Sequence, residues 1–280
     1  MARPNFVGIG AQKCASTWIF QILSDHPDVS LSTKKEIDYF SYRYHNGYQW
    51  YENHFPEKAG AKAIGEISPS YFHEPAVPSR LHSYMPDIRI ILSLREPVER
   101  AISNHNHEVR IRHFMGDDIS FEAGLKNNPM YIEQGMYAQH VSRWLQYFNK
   151  NQILVILMDD IKKQPEQVVT DIYNFLDIDS NHTPEFLRKK SNPGHLLKST
   201  SIDKLKSKLR LGMKNFGLSR VWEVIAKSGL RNLYRHFNRI ESDVLIPSVQ
   251  EKTKQELHEI FSNDIKELEK MLDISLDKWK

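Results

Sequence analysis

Residues 5–23, NFVGIGAQKCASTWIFQIL, place three kinds of local sequence next to one another. A β-rich apolar run covers residues 6–9, small residues follow at Gly10 and Ala11, and apolar residues recur at helical spacing over residues 16–23. This order predicts a strand, a tight turn and a helix. Such a turn directs backbone N–H groups and the positive end of the helix dipole to one point, which suits a phosphate or a sulfate.

Further strands alternate with helices along the chain. Strands are predicted over residues 61–67, 88–94 and 153–158, and the near-continuous apolar character of 88–94 is typical of a parallel strand that helices cover on both faces. Pro97 and Pro165 predict the first turns of the helices that follow two of these strands. The sequence therefore predicts a three-layer α/β fold, with a central parallel β-sheet flanked by helices.

The predicted helices include one over residues 136–148 and an amphipathic C-terminal helix at about 249–273 that docks on the body. We interpret the aromatic residues of the first helix as core and Trp279 as an anchor for the C-terminus. The whole chain, 1–280, is predicted to form one domain with a basic helical subdomain at about 200–240. The core aromatics in this interpretation are Tyr137, Trp144, Tyr147 and Phe148.

Composition excludes several classes of protein. There are 38 Lys and Arg against 35 Asp and Glu, a net charge of +3, which excludes a histone-like nucleic-acid binder. A single cysteine, Cys14, excludes a disulfide framework and a multi-cysteine zinc site. With no signal-like N-terminus and no apolar run of about 18 residues, we expect a cytoplasmic protein without a transmembrane segment.

The charge is unevenly distributed. Residues 201–239 contain ten Lys or Arg and two acidic residues. This stretch suits peripheral contact with an acidic glycan or an anionic membrane surface. The alternative is a helical segment with a solvated basic face.

The first candidate site is the turn itself. Lys13 adds a full positive charge there, while Ser16 and Thr17 add hydroxyl donors that can also cap the helix. A Walker A motif needs Gly directly before the lysine and Ser or Thr directly after it, and this chain has Gln12 and Cys14. The alternative to an anion site is a capped helix with a surface lysine.

The second candidate site follows the strand at 88–94. Arg95 stands at the carboxyl end of that strand, where ligands of open α/β sheets bind, and Ser103 lies eight positions later. Arginine matches phosphate oxygens with two parallel hydrogen bonds. The alternative is a salt bridge from Arg95 to Glu96 or Glu99.

The third candidate is Glu36, in STKKEIDYFS at residues 32–41. Its neighbours include lysines and the apolar or aromatic residues Ile37, Tyr39 and Phe40. A carboxylate held beside apolar rings and an anion gains proton affinity and can act as a general base. The alternative is a solvated charged loop.

Together these segments resemble one family, the sulfotransferases that use 3′-phosphoadenosine 5′-phosphosulfate (PAPS). QKCASTW resembles the family's 5′-phosphosulfate loop, LREPVERAIS its 3′-phosphate segment, and KEIDYF the KExxFF-like segment of the carbohydrate-sulfating branch. GEISPSYF at 65–72 and MYAQHVSRWLQYF at 136–148 match in order as well. The resemblance implies a P-loop-like fold, a PAPS-dependent sulfotransferase of the bacterial, heparan-sulfate-like branch, and no metal.

The resemblance also implies residue roles. Lys13 would contact the oxygen that bridges phosphate and sulfate, Glu36 would take the acceptor's proton, and Trp18 would flank the adenine. The 5′-phosphosulfate would bind to the loop, and the 3′-phosphate to Arg95 and Ser103. The loop residues implied are Lys13, Cys14, Ala15, Ser16, Thr17 and Trp18.

Two departures from the family pattern, and the position of one further loop, bear on these roles. Ala15 stands where the family more often has Gly, although alanine disfavours a positive φ. Ile67 replaces a lysine that is catalytic in many heparan-type members. The late loop that covers the donor corresponds to residues 188–199, with Lys189, Lys190 and Gly194 as the candidates.

Other functions are kept as alternatives. An atypical P-loop kinase would need a magnesium-binding Ser or Thr directly after Lys13 and an acidic residue at a strand end, whereas the chain offers Cys14 and Ser93 at these places. A non-catalytic module could bind acidic glycan or membrane through residues 201–239. His105 or His107 could replace Glu36 as base. The sulfuryl acceptor, which could be a carbohydrate or a small metabolite, is left open because acceptor pockets are built from variable loops.

Overall fold

Parallel strands form the central sheet in the computed structural model, which describes residues 3–111, 119–187, 195–197, 239–241 and 246–279. The strand order is β2-β3-β1-β4-β5, with every pairing parallel. The strands are β1 (Phe6–Gly10), β2 (Val29–Leu31), β3 (Ala63–Ile67), β4 (Arg89–Leu94) and β5 (Ile153–Leu157). The central parallel sheet of the α/β prediction is confirmed.

Helices connect the strands, and short 3-10 turns extend several of them. The helices are α1 (Ser16–Asp25), α2 (Tyr39–Tyr42), α3 (Tyr48–Glu52), α4 (Val77–Tyr84), α5 (Pro97–Arg110), α6 (Phe121–Asn127), α7 (Met130–Glu133), α8 (Tyr137–Leu145), α9 (Met158–Lys163), α10 (Pro165–Leu176) and α11 (Glu251–Leu272). The 3-10 turns include Tyr44–Asn46, Pro69–Tyr71, Lys150–Gln152 and Asp277–Trp279. Two further strands, β6 (His195–Leu197) and β7 (Arg239–Glu241), pair antiparallel.

The chain divides into two units. The first comprises residues 1–104, 127–191 and 250–280, and the second comprises 105–126 and 192–249. The central sheet lies in the first unit and the β6–β7 pair in the second. The predicted basic subdomain at about 200–240 lies outside the described residues apart from the start of β7, so it stays a prediction.

The sheet is covered on both faces. On one face, α1 and α10 pack their apolar residues against Phe6, Ile67 and Ile91. Residues of β1 and β4 that point the other way, such as Val7 and Leu92, are also buried. Burial on both faces explains why these strands are apolar throughout, as a three-layer fold requires.

Most predicted elements begin and end within two residues of those observed, although β2 and the short helices α2 and α3 were not predicted. In the 136–148 region, Tyr137, Trp144 and Phe148 are buried as predicted. The prediction for Tyr147 is wrong, because its side chain is 41% exposed. It lies beyond the end of α8, where the helical spacing no longer applies.

The C-terminal helix docks through a buried acid. Asp264 of α11 accepts hydrogen bonds from the N–H groups of Ala138 (3.0 Å) and Gln139 (3.4 Å) at the start of α8. Because α8 has no capping side chain of its own, Asp264 caps it from a distant part of the sequence. Beyond α11, the indole of the buried Trp279 donates to Asp159 (3.2 Å), as its predicted anchoring role requires.

Candidate active site

The loop between β1 and α1 has the backbone of an anion cradle. Lys13 and Ala15 both have φ of 66°, the left-handed region, and Ala15 is the N-cap of α1. No side chain caps this helix end, so its first-turn N–H groups point towards the loop. Left-handed residues in such a turn fold consecutive N–H groups into a concavity that suits an anion. Ala15 therefore adopts the conformation for which the family more often supplies glycine.

Ser93, near the end of β4, contacts the backbone of this loop. Its hydroxyl lies 3.0 Å from the Gly10 carbonyl oxygen and 2.5 Å from the Cys14 carbonyl oxygen, and the N–H of Ala11 donates to the Ser93 carbonyl (2.7 Å). A hydroxyl has one proton, so it donates to one carbonyl at a time. Ser93 thus supports the loop rather than binding a magnesium ion as a kinase would require.

Cys14 points into the core. Its thiol is fully buried, and burial raises its pKa to about 11, while the nearby Arg100 guanidinium acts in the opposite direction. The thiol lies 4.0 Å from the Tyr137 hydroxyl, which donates to the Arg95 carbonyl (2.9 Å). Cys14 can therefore serve a bound anion only through its backbone, and its side chain joins the loop to the end of β4.

Arg95 lies at the carboxyl end of β4, as predicted, and pairs with an acid. Its Nε and Nη2 lie 3.1 and 3.0 Å from the same carboxylate oxygen of Glu99. The salt-bridge alternative is therefore present, but it uses only part of the guanidinium, which has five N–H donors. Ser103 is half-buried two turns along α5.

Trp18 is mostly buried. Its ring packs in the cluster between α1, α10 and the sheet, and its indole N–H donates to the Leu187 carbonyl (3.1 Å). These contacts fix the ring at the first turn of α1. Its proposed place beside the adenine stays a prediction.

The ammonium group of Lys35 connects Glu36 with the loop between β1 and α1. Lys35 Nζ bonds the Glu36 carboxylate and lies 3.4 Å from the Ser16 hydroxyl. Segments twenty residues apart in sequence are thereby brought together, so that the predicted base lies beside the predicted phosphosulfate loop. Lys35 was missed because a lysine in a charged segment gives no signal of its own.

The surroundings of Glu36 differ from the prediction. Ile37, Tyr39 and Phe40 are buried in the body, whereas the Glu36 side chain is 49% exposed and paired with Lys35. The backbone of Glu36 has a positive φ of 61°. Its environment is therefore a lysine and solvent rather than apolar rings.

Glu66 is a second residue that the motif analysis missed. It lies in β3 with no exposed surface and accepts hydrogen bonds from Ser68 and Tyr71, each at 2.6 Å. The signal for it was an acid inside the apolar strand sequence AIGEI. Buried carboxylates are rare, so such a residue deserves a functional explanation.

Comparison with known proteins decides the family. The family described as "Sulfotransferase domain" matches residues 3–267. The chain belongs to the sulfotransferase domain family.

Individual relatives agree with this. The sulfotransferase chain is 25% identical over 272 residues to the membrane-associated sulfotransferase kil1 of Dictyostelium discoideum, covering 65% of this chain and 58% of that protein. It is 28% identical over 199 residues to the bifunctional heparan sulfate N-deacetylase/N-sulfotransferase 4 of Mus musculus, covering 62% and 22%. The chain thus spans about three fifths of the length of the Dictyostelium protein and about one fifth of the length of the mouse protein.

Among solved structures, the sulfotransferase of Alicyclobacillus acidocaldarius matches over 100% of this chain and 99% of its own. The TM-score is 0.71 and the sequence identity is 25%. The P-loop-like three-layer fold implied by the sequence is therefore confirmed for this sulfotransferase chain.

The other predicted residues divide into two groups. Lys189, Lys190 and Gly194 lie outside the described residues. His105 belongs to the second unit, where its ring is buried and Nε2 lies 2.9 Å from the Ile119 carbonyl oxygen. That burial explains His105 as a core histidine of the second unit.

The described part of the chain has neither a metal-binding cluster nor a membrane-spanning helix. There, no three His, Cys, Asp or Glu side chains come together as a metal site would need. Within the same residues, no helix is both long and apolar enough to span a membrane.

Proposed function

We propose that this protein transfers a sulfuryl group from PAPS to a hydroxyl or amine of an acceptor. The observation that carries the proposal is the Lys35 ammonium group, which contacts both the Glu36 carboxylate and the Ser16 hydroxyl. A proton acceptor beside an anion cradle is the arrangement that sulfuryl transfer needs.

The donor site is assigned from the residues around the loop. The left-handed backbone at Lys13 and Ala15 and the uncapped end of α1 suit a 5′-phosphosulfate. Arg95 at the end of β4 and Ser103 on α5 are assigned to the 3′-phosphate. When bound, PAPS supplies an activated sulfuryl group, and the chain's residues supply position and charge.

In the proposed step, Glu36 takes the proton of the acceptor's O–H or N–H group. The acceptor atom bonds to sulfur while the bond from sulfur to the bridging phosphate oxygen breaks. Lys13 stabilises the negative charge that develops on that oxygen, and Lys35 adds a second positive charge between base and loop. Positioning and charge stabilisation therefore account for the catalysis.

The acceptor class we propose is a carbohydrate or a small metabolite. A glycan is supported by the relatives that are bifunctional heparan sulfate N-deacetylase/N-sulfotransferases. The alternative, a non-catalytic module acting through residues 201–239, is tested by whether any acceptor is sulfated.

Donor binding is the first test. We expect 3′,5′-adenosine bisphosphate to raise the melting temperature of the purified protein, and adenosine 5′-monophosphate, which lacks the 3′-phosphate, to raise it less. Acceptors are then screened with radiolabelled PAPS, including N-desulfated heparin and phenols. Equal shifts with both nucleotides, or no shift at saturation, would contradict the assignment of Arg95 and Ser103.

Removing the proposed base is the second test. Glu36→Gln keeps the shape of the side chain but cannot take a proton at neutral pH, so we expect turnover to fall by about 100- to 10,000-fold with the bisphosphate affinity nearly unchanged. Radiolabelled transfer and calorimetry measure the two quantities. Glu259→Gln, at an exposed position of α11, is the matched control. Unchanged turnover in Glu36→Gln would assign the base to another residue.

A further inference from the structure

The buried carboxylate of Glu66 occupies a position between the two halves of the proposed active site. Its strand, β3, pairs with β1, where Glu66 lies opposite Val7, and β1 leads directly into the phosphosulfate loop. β3 also contacts the segment that carries Glu36, because the N–H of Glu36 donates to the Ile67 carbonyl (3.2 Å). A carboxylate in this environment is stable only if its oxygens accept hydrogen bonds.

Two hydroxyl groups connect Glu66 to that segment. Ser68 donates to Oε2 of Glu66 (2.6 Å) and accepts from the N–H of Asp38 (3.0 Å). Tyr71 donates to Oε1 (2.6 Å) and accepts from the N–H of Tyr39 (2.9 Å). Each carboxylate oxygen thus accepts from one hydroxyl, and each hydroxyl in turn accepts from a backbone N–H group.

The direction of these hydrogen bonds is fixed. Because an ionised carboxylate can only accept, each hydroxyl donates its one proton to Glu66, and its oxygen receives a backbone N–H. The arrangement therefore requires two acceptor oxygens at position 66. A side-chain amide or a protonated carboxyl group offers one acceptor and one donor, and would reverse or break one of the two connections.

The segment that carries Glu36 and Asp38 needs the support of these hydrogen bonds. Glu36 (φ 61°) and Asp38 (φ 54°) both adopt left-handed backbone conformations, which are unfavourable for residues with a side chain. Unfavourable conformations of this kind persist where the surroundings over-determine them. Ser70 adds to the support by donating to the Asp38 carboxylate (2.7 Å).

We propose that Glu66 is a positioning residue for sulfuryl transfer, because its carboxylate, acting through Ser68 and Tyr71, fixes the backbone that directs Glu36 towards the phosphosulfate loop. This inference rests on the proposed function for the role of Glu36. Its structural part, the dependence of the segment on Glu66, stands independently.

The electrostatic surroundings make this support sensitive to pH. Burial raises the pKa of Glu66 to about 7, against the lowering effect of the Ser68 and Tyr71 hydrogen bonds. The titratable groups that act on it are Asp38 at the start of α2, Tyr51 on α3 and Tyr71. Protonation close to neutral pH therefore replaces one acceptor by a donor, which reverses or breaks one of the two connections.

Amide hydrogen exchange of peptides covering residues 36–43 tests the structural part. In Glu66→Gln and Ser68→Ala we expect this segment to exchange about tenfold faster, since Ser68→Ala removes the acceptor of the Asp38 N–H and Glu66→Gln replaces one acceptor oxygen of the carboxylate by a donor. Tyr71→Phe is the third variant of this network. Tyr173→Phe is its matched control, because it removes a buried hydroxyl that donates to the Ile22 carbonyl instead. Exchange as slow as in the wild type in all three network variants would overturn the proposal.

A pH series separates positioning from general stability. In the wild type, the protection of residues 36–43 should fall as the pH drops below about 7, whereas in Glu66→Gln it should be low throughout. Protection elsewhere, for example in α10, should not change in the variants. A loss of protection spread over the whole chain would mean that Glu66 only stabilises the fold, and would overturn the proposal.

The functional part has its own readout. With an acceptor found in the screen, Glu66→Gln should lower kcat by about tenfold or more while the donor KM and bisphosphate affinity stay near the wild-type values. If the wild type neither binds the bisphosphate nor transfers sulfate, the proposed function fails while the exchange result still decides the structural part. If the exchange changes and kcat does not, Glu66 does not position the base.

Discussion

Arg95 and Glu99 form an ion pair at the place assigned to the 3′-phosphate. The Glu99 carboxylate is about half exposed and also lies 3.9 Å from Lys162. Water weakens such a pair, so a phosphate can compete with it. The pair keeps the guanidinium at the end of β4, but its negative member also repels an incoming phosphate.

Removing that negative charge should tighten nucleotide binding. For Glu99→Gln we expect the Kd of 3′,5′-adenosine bisphosphate to fall by about two- to fivefold, a fraction of 1 kcal/mol that befits an exposed charge. Calorimetry at low salt measures it, and Glu259→Gln serves as the control. Weaker binding in Glu99→Gln would show that Glu99 orients Arg95 rather than competing for it.

Glu66 should leave a signature in the pH dependence of stability. Its native pKa of about 7 lies above the value of 4.5 for an unperturbed glutamate, so the native state keeps its proton to higher pH than the unfolded chain. Its contribution to stability is therefore full below about pH 4.5 and is lost as the pH rises through about 7. By contrast, the exchange protection of residues 36–43 is expected to rise as the pH increases through about 7.

Urea unfolding of the wild type and Glu66→Gln at several pH values measures this. We expect the stability of the wild type, relative to the variant, to decline from pH 5 to pH 8. The comparison is needed because burial lowers the pKa of His73 and His140 to about 4. These histidines contribute stability that is lost as the pH falls from about 6.5 towards 4. A constant difference between wild type and variant would contradict the raised pKa of Glu66.

At the level of elements, the start of α1 combines a helix terminus with an unfavourable backbone. Ala15 has φ 66° and ψ 17° at the N-cap, a conformation that glycine adopts without steric cost. The anion site that we propose at this turn uses the direction of backbone N–H groups, and glycine preserves that direction.

Ala15→Gly should therefore stabilise the protein, by about 0.5–1 kcal/mol, and raise Tm by roughly 2 °C. In contrast, Ala138→Gly within α8 should destabilise it by about 1 kcal/mol, because Ala138 lies in regular helix. Thermal unfolding measures both. A loss of stability in Ala15→Gly comparable to that in Ala138→Gly would contradict the left-handed conformation of Ala15.

The elements also show what local sequence can predict. β1, α1 and β4 were predicted closely because apolar runs and flanking prolines report them directly. The α2–α3 region was not, because those helices have only four and five residues and are held by tertiary contacts. Likewise, Arg95 and Glu36 were found through motif spacing. Lys35 and Glu66 act through contacts between segments, which spacing does not reveal.

For the molecule as a whole, α11 is needed to complete α8. Asp264 is buried, burial raises its pKa, and it accepts from two N–H groups at the start of α8. Losing it would leave the buried N–H of Ala138 and the N–H of Gln139 without this acceptor.

Asp264→Ala should therefore lower the free energy of unfolding by about 2–3 kcal/mol, and Asp264→Asn, which keeps one acceptor oxygen, by about 1 kcal/mol. Urea denaturation measures both variants. Equal losses would show that the negative charge, rather than the hydrogen bonds, matters at this position.

The contact between Asp264 and α8 also has a consequence for how the protein is made. The first residue of α8, Tyr137, touches both the phosphosulfate loop at Cys14 and the end of β4 at Arg95. On the ribosome the loop emerges early, but α11 follows about 240 residues later, which at ~5–20 residues per second is a delay of roughly 10–50 s. Until α11 has been made, the nascent chain lacks the contact of Asp264 with the start of α8, and with it the packing that holds Tyr137 against the loop.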